Sequence, residues 1–136
     1  MKKIVLTAKT EALYQALDFV TETARESGCV KEPMKLELIA EEILVNIASY
    51  AYGEAQGDVE IECGVENGLF TVRFKDGGVP YDPLKRPDPD ITASAADRPI
   101  GGLGVYLVKE CADSVGYAYE DGKNILTVGM RLQAIG

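Results

Sequence analysis

Along the first third of the chain, apolar residues recur with the period of helices. They are spaced three and four apart over residues 10–27, which predicts an amphipathic helix that ends near Gly28. A second helix is predicted from Pro33, a residue that suits a first helical turn, to about Tyr52. The short apolar run at residues 4–6, before both helices, predicts an edge strand.

Beyond residue 58 the period changes to two, because apolar and polar residues alternate as they do along half-buried strands. Two hairpins are predicted here, since each segment contains a dipeptide typical of tight two-residue turns. They are residues 59–74 around Asn67-Gly68 and residues 115–130 around Asp121-Gly122. Helical spacing resumes between the hairpins, over residues 103–111.

Residues 76–102 have no period and contain five prolines. Irregular segments of this length are usually functional or mobile. The order of elements is therefore strand, two helices, hairpin, irregular segment, helix and hairpin. Strands joined by tight turns favour an antiparallel or mixed sheet with helices on one face. We expect one α+β domain over residues 1–136, folded as a two-layer sandwich.

The composition excludes several classes of function. Fourteen Lys and Arg against 22 Asp and Glu give a net charge of −8, which repels nucleic-acid phosphates and anionic lipid. The absence of histidine excludes Ser-His-Asp catalysis, His-ligated zinc and a phospho-accepting histidine within the chain. Three scattered cysteines fit a reducing compartment, and no apolar run suits a signal peptide or a membrane span. We expect a cytoplasmic protein without direct nucleic-acid or membrane partners.

The second predicted helix carries the first candidate site. Glu42 and Asn46 lie four residues apart and share one helix face, and Tyr50 continues the same line. The amide oxygen of Asn is a hard ligand that suits Mg²⁺. A carboxylate one turn away can orient or deprotonate a nucleophile. Taken alone, the same pattern is also that of an ordinary solvated helix face.

Two glycine-containing segments are further candidates. Asp76-Gly77-Gly78 follows a predicted strand, where the carboxylate can point into a pocket and the glycines let backbone approach a ligand. A plain turn explains the same residues. Gly101-Gly102-Leu103-Gly104 opens the third helix, where free N–H groups can bind phosphate oxygens. A flexible hinge is the alternative there.

The order and spacing of the three segments resemble a known set of motifs. E-x-x-x-N on a helix, D-x-G-x-P after a strand and G-G-x-G at a helix start are similar to the N, G1 and G2 boxes of gyrase and histidine-kinase type ATPases. Within that superfamily, the chain most resembles the anti-sigma-factor serine/threonine protein kinases of bacteria. The boxes fall at residues 42–52, 76–83 and 101–104. The resemblance implies the histidine-kinase-like ATPase fold, also called the Bergerat fold, with a mobile lid over residues 79–100.

The resemblance also implies roles for residues of the first two boxes. Glu42 corresponds to the family's catalytic base, and Asn46 corresponds to its Mg²⁺ ligand. Asp76 corresponds to the carboxylate that recognises the exocyclic amine of adenine, and Gly78 supports that contact. Relatives often have His where Tyr50 stands, so the polar contact at this position departs from the family pattern.

For the phosphates of ATP, the resemblance implies contacts at the start of the third helix. Gly102, Leu103 and Gly104 would line them beneath the lid. Some relatives place an Arg two residues before these glycines. Arg98 is the nearest Arg here, and we expect it to contact the γ-phosphate from a displaced position.

The implied activity is that of a Mg-ATP-dependent protein serine/threonine kinase that acts as an anti-sigma factor. Such a homodimer phosphorylates a small anti-anti-sigma protein and often binds a sigma factor. Phosphoryl transfer needs positioning and charge neutralisation more than covalent help from the protein. The alternative is an ATP-binding switch that sequesters a partner protein without transferring phosphate. The presence of Glu42 favours the kinase, because a pure binder needs no base.

Overall fold

The fold comprises five strands and three α-helices in the part of the chain that the structure describes. The computed structural model describes residues 1–28, 30–48, 52, 57–85 and 102–132. The elements in chain order are β1 (Lys2–Thr7), α1 (Leu13–Glu26), α2 (Pro33–Asn46), β2 (Asp58–Glu66), β3 (Leu69–Asp76), α3 (Gly102–Cys111), β4 (Ser114–Glu120) and β5 (Lys123–Arg131). Short 3₁₀ turns at Thr10–Ala12 and Pro83–Lys85 complete the description.

The strands form one sheet in the order β1-β2-β3-β5-β4, and every neighbouring pair is antiparallel. Both predicted hairpins are confirmed. Asn67-Gly68 and Asp121-Gly122 each have two consecutive positive φ angles, at 53° and 79° in the first turn and 53° and 75° in the second. This is the backbone conformation that two-residue hairpin turns require.

The helices bury their apolar stripes against one face of the sheet, which confirms the predicted two-layer α+β sandwich. In each helix and strand the apolar residues recur with the period of that element and so lie on one side of it. These sides together form a single core. The largest buried side chains are Phe70, Phe74, Leu36, Ile39, Ile61 and Met130. The opposite face of β2 and β3 carries charged side chains that form ion pairs across the strands, among them Lys75 with Glu60 and Glu62.

Two predicted helix boundaries are corrected. The first helix does not begin at residue 10, because residues 10–12 form a 3₁₀ turn and the α-helix starts at Leu13. The second does not run to Tyr52: α2 ends at Asn46, and residues 47–48 continue in a wider π turn. Tyr52 lies in a bend, and its hydroxyl is hydrogen-bonded to other parts of the chain. Tertiary contacts of this kind can end a helix earlier than its apolar spacing predicts, because the spacing of residues along the chain carries no information about distant partners.

Two further observations concern the burial of the cysteines and the length of the helices. Cys63 is buried in β2 and Cys111 is half-buried at the end of α3, and both are free thiols. Burial raises the pKa of the Cys63 thiol, which makes this cysteine an inert, small apolar residue. Within the described ranges, no helix is long and apolar enough to cross a membrane.

Candidate functional site

The end of β3 places a carboxylate in the interior of the protein. Asp76 is only 7% exposed and lies opposite Asn124, near the start of β5, in the sheet register. Its Oδ1 accepts hydrogen bonds from the backbone N–H of Gly78 at 2.9 Å and from Asn124 Nδ2 at 3.0 Å. Among the described residues, no donor reaches Oδ2. A buried carboxylate with one oxygen unused is arranged to accept a hydrogen bond from a ligand.

Asn124 is the centre of a hydrogen-bond network around this carboxylate. The residue is 7% exposed, and all of its side-chain polar groups are engaged. Its Nδ2 donates to Asp76 and to the carbonyls of Val79 at 3.0 Å and Gly78 at 3.4 Å. Its Oδ1 accepts the N–H of Tyr81 at 3.0 Å and the hydroxyl of Tyr117. The loop after β3 is therefore fixed at three backbone positions by one side chain.

Tyr52 joins the segment after α2 to the same loop. Its hydroxyl donates to the carbonyl of Asp58 at 2.6 Å and accepts the N–H of Gly77 at 2.6 Å. Burial raises the pKa of Tyr52, which keeps the hydroxyl protonated and able to donate. The ring lies over Gly57, where a Cβ would come within 2.2 Å of ring atoms. A glycine at position 57 is thus required for Tyr52 to reach Gly77.

The acidic and amide residues of the first predicted box lie on α2, at the margin of its buried stripe. Glu42 and Asn46 are half-buried, whereas their neighbours Ile43 and Leu44 belong to the core and Glu41 is exposed. In the described part of the chain, neither Glu42 nor Asn46 takes part in an ion pair or a side-chain hydrogen bond. The two side chains lie one helical turn apart and share one face of α2.

The third predicted box coincides with the first turn of α3, which begins at Gly102 and includes Leu103 and Gly104. The first turn of a helix carries backbone N–H groups without intrahelical partners, which suits phosphate oxygens. α3 packs against α2. The structure therefore brings together the helix with Glu42 and Asn46 and the helix that opens with the glycines.

Several predicted site residues lie outside the described residues. They are Tyr50, Arg98, Gly101 and the greater part of the expected lid, residues 86–100. Their roles stay predictions. No group of three or more carboxylate or cysteine side chains arranged for a metal occurs among the described residues.

Three contributors to the site carry no functional assignment in the sequence motifs: Asn124, Tyr117 and Tyr52. A signal for Asn124 does exist in the sequence. It lies two residues after the Asp121-Gly122 turn, at the start of a strand whose interior is otherwise apolar and β-branched, and Asn is depleted in strands. The hairpin alone does not show that β5 pairs with β3, so the contact with Asp76 required the sheet order.

Comparison with known proteins identifies the family of this chain. Residues 6–130 match the family model of the histidine kinase-like ATPase domain. Serine-protein kinase RsbW of Bacillus cereus (strain 03BB102) is 30% identical over 99 residues, which are 70% of this chain and 61% of that protein. Serine/threonine-protein kinase BtrW of Bordetella bronchiseptica is 28% identical over 126 residues, covering 92% of this chain and 87% of that protein.

A solved structure shows the same fold. The chain aligns with the histidine kinase AdeS of Acinetobacter baumannii at a TM-score of 0.53 and 12% identity, over 98% of this chain and 70% of that one. The chain spans about three fifths of the length of the RsbW proteins it matches, 61% in the alignment. The resemblance drawn from the three motifs is confirmed, because the family model extends over nearly all of the sequence. The chain belongs to the histidine kinase-like ATPase domain family.

Proposed function

We propose that this protein is a Mg-ATP-dependent serine/threonine protein kinase that acts as an anti-sigma factor by phosphorylating an anti-anti-sigma protein. The observation that carries the proposal is the buried carboxylate of Asp76 at the end of β3, with its Oδ2 unused by the described residues, in a chain of an ATPase family. The proposal covers one domain over residues 1–136, a homodimer in the cytoplasm and a sigma factor as second partner.

Adenine recognition is assigned to Asp76. An ionised carboxylate is an acceptor only, and the exocyclic amine of adenine is a donor. Gly78 supports this contact because its N–H donates to Oδ1 at 2.9 Å and so fixes the rotation of the carboxylate. Burial strengthens the hydrogen bond to the base, since water competes less for both groups.

Phosphate binding is assigned to the first turn of α3, at Gly102, Leu103 and Gly104, with Arg98 as the γ-phosphate contact. Backbone N–H groups can hold polyphosphate in a protein whose net charge is −8. Asn46 is assigned as the Mg²⁺ ligand, because its half-buried amide has no partner among the described residues and Mg²⁺ prefers oxygen. When bound, Mg²⁺ would neutralise charge on the phosphates.

Glu42 is assigned as the catalytic base. It lies one turn before Asn46 on the same face of α2, so a group that accepts a proton stands beside the group that holds the metal. In this role it accepts or orients the proton of a serine or threonine hydroxyl on the partner protein. The names of the relatives, serine-protein kinase and serine/threonine-protein kinase, support this class of acceptor.

The test is a single-turnover transfer assay with labelled ATP and, as candidate acceptors, the small proteins encoded by neighbouring genes. Glu42→Gln keeps the size of the side chain and loses its basicity, so we expect Mg-ATP binding to persist and transfer to fall about 10²–10⁴-fold. Glu41→Gln is the matched control, because it makes the same change at the adjacent, exposed position of α2.

The kinase assignment fails if the wild type binds ATP but transfers no label. It also fails if Glu42→Gln and Glu41→Gln transfer label equally well. Tight ATP binding that releases a partner protein without transfer would establish the sequestering switch in its place.

A further inference from the structure

We propose that Asn124 determines the base specificity of the nucleotide site, by holding Asp76 as an acceptor that is open at Oδ2 alone. This inference rests on the proposed function, in which ATP binds at the end of β3. It concerns a residue that belongs to none of the three boxes. Its basis is the buried network of Asn124 described above.

The orientation of the Asn124 amide is fixed by its surroundings. Two donors, the N–H of Tyr81 and the hydroxyl of Tyr117, meet one side of the amide. On the other side are three acceptors, namely the Asp76 carboxylate and the carbonyls of Gly78 and Val79. A rotated amide would set its oxygen against three acceptors and its NH₂ against two donors. Nδ2 therefore faces Asp76.

This orientation decides what Asp76 can recognise. With Gly78 N–H and Asn124 Nδ2 both donating to Oδ1, the carboxylate is held in one rotation. Oδ2 is then presented to the ligand as an acceptor. It matches a purine that carries an amine at position 6, and it repels the oxygen that 6-oxo purines carry there.

Asn124 is a positioning residue, because it acts on the base through Asp76. It also anchors the loop at Gly78, Val79 and Tyr81, so its loss would weaken binding of any nucleotide to some extent. The two effects are separable. A disturbed loop weakens all nucleotides alike, whereas an altered Asp76 changes the preference between bases that differ only at position 6.

The experiment measures, by calorimetry, the affinities of the full chain for ATP and for purine riboside triphosphate, which lacks the exocyclic amine. We expect the wild type to prefer ATP roughly tenfold or more, as one hydrogen bond to a charged acceptor allows. Asn124→Asp keeps the acceptor for Tyr81 and places a second carboxylate at Asp76. Like charges at that distance share a proton, so the preference should fall close to one.

Asn67→Asp is the matched control, because it makes the same chemical change in the exposed β2–β3 turn, where Asp tolerates the positive φ. It should keep the wild-type preference. Asn124→Ala removes the donor without adding charge. If Asn124→Asp does not fold, the ratio of the affinities of Asn124→Ala for ATP and for purine riboside triphosphate tests the proposal instead.

The outcomes separate the two proposals. If the wild type binds ATP with a preference and the Asn124 variants keep that preference while losing affinity for both nucleotides, Asn124 only holds the loop and this inference is overturned. An equal loss of preference in Asn67→Asp overturns it as well. If the wild type binds neither nucleotide, the proposed function itself fails, and the assignment to Asn124 fails with it.

Discussion

The outer face of the sheet and the end of β3 both carry charged side chains, but their surroundings differ. On the outer face, Lys75 contacts Glu60 at 3.4 Å and Glu62 at 3.3 Å, while Arg73 contacts Glu66 at 2.6 Å and lies 4.0 Å from Glu62. These side chains keep contact with water and have alternative partners. Loss of any one contact leaves the others in place.

At the end of β3 there is no such redundancy. Asp76 and Asn124 are each 7% exposed, and the donors and acceptors of Asn124 are matched one by one to the loop and to the carboxylate. A buried polar group that loses its partner incurs the full cost of desolvation, whereas an exposed group returns to water. The comparison predicts that stability depends on the inner network and hardly on the outer one.

The largest effect on stability is expected from Asn124→Leu. The substitution keeps the volume but leaves the Asp76 carboxylate, the Tyr81 N–H and the Val79 carbonyl short of partners. We expect a loss of about 2–3 kcal/mol in the free energy of unfolding, measured by urea denaturation. A loss below about 0.5 kcal/mol, the scale of ordinary surface changes, would show that the network is no more important than the outer face.

A smaller effect is expected from Tyr52→Phe, which keeps the ring over Gly57 and removes the hydroxyl between Asp58 and Gly77. Because Tyr52 is only half-buried, water can replace part of what is lost, and we expect about 1 kcal/mol. Tyr14→Phe is the control, since the Tyr14 ring is 78% exposed on α1. Equal stabilities for the two variants would remove Tyr52 from the set of residues that hold the loop.

On the outer face, Lys75→Met should change stability by about 0–1 kcal/mol, the usual range for pairs that retain contact with water. The remaining difference should shrink further as salt is raised, because screening weakens exposed ion pairs. Thermal unfolding at low and high ionic strength measures both quantities. A loss as large as that of Asn124→Leu would contradict the distinction between the two regions.

The smallest effect concerns pH. The hydrogen bond from Arg73 lowers the pKa of Glu66 below its ordinary value of 4.5. A carboxyl group whose folded pKa is lowered contributes stability above its ordinary pKa, and the contribution is lost as pH falls through the lowered value. Glu66→Gln should therefore lower stability slightly at neutral pH, and its difference from the wild type should disappear as pH falls below 4.5, which flattens the acid limb. An unchanged acid limb would remove this pair from the stabilising contacts.

Much of the fold follows from the sequence because local rules determine it. The positive φ angles at Asn67-Gly68 and Asp121-Gly122 are those that their residue types favour, and the alternation along β2 and β3 defines one buried face. The end of α2 could not be predicted in the same way. The bend at Tyr52 coincides with hydrogen bonds from its hydroxyl to Asp58 and Gly77, which are remote from α2 in the sequence.

The residues of the site also fall into those that the sequence predicts and those that depend on long-range contacts. Asp76 and Gly78 could be found from a motif, since the chemistry of the ligand restricts which residues stand there. Asn124 is unusual in its strand, but its role could not be predicted, because that role arises from the pairing of β5 with β3, strands that are separated by a helix and another strand. Residues that act through a neighbour are visible only once the sheet order is known.

The most direct test of the central claim is calorimetric titration of Mg-ATP into the wild type, Asp76→Asn and Asp58→Asn. Asp76→Asn replaces the buried acceptor with an amide, and Asp58→Asn removes an equal charge at an exposed position at the start of β2. The account predicts that the wild type and Asp58→Asn bind Mg-ATP alike, whereas Asp76→Asn stays folded and loses measurable binding. Binding of Mg-ATP by Asp76→Asn with wild-type affinity would contradict it.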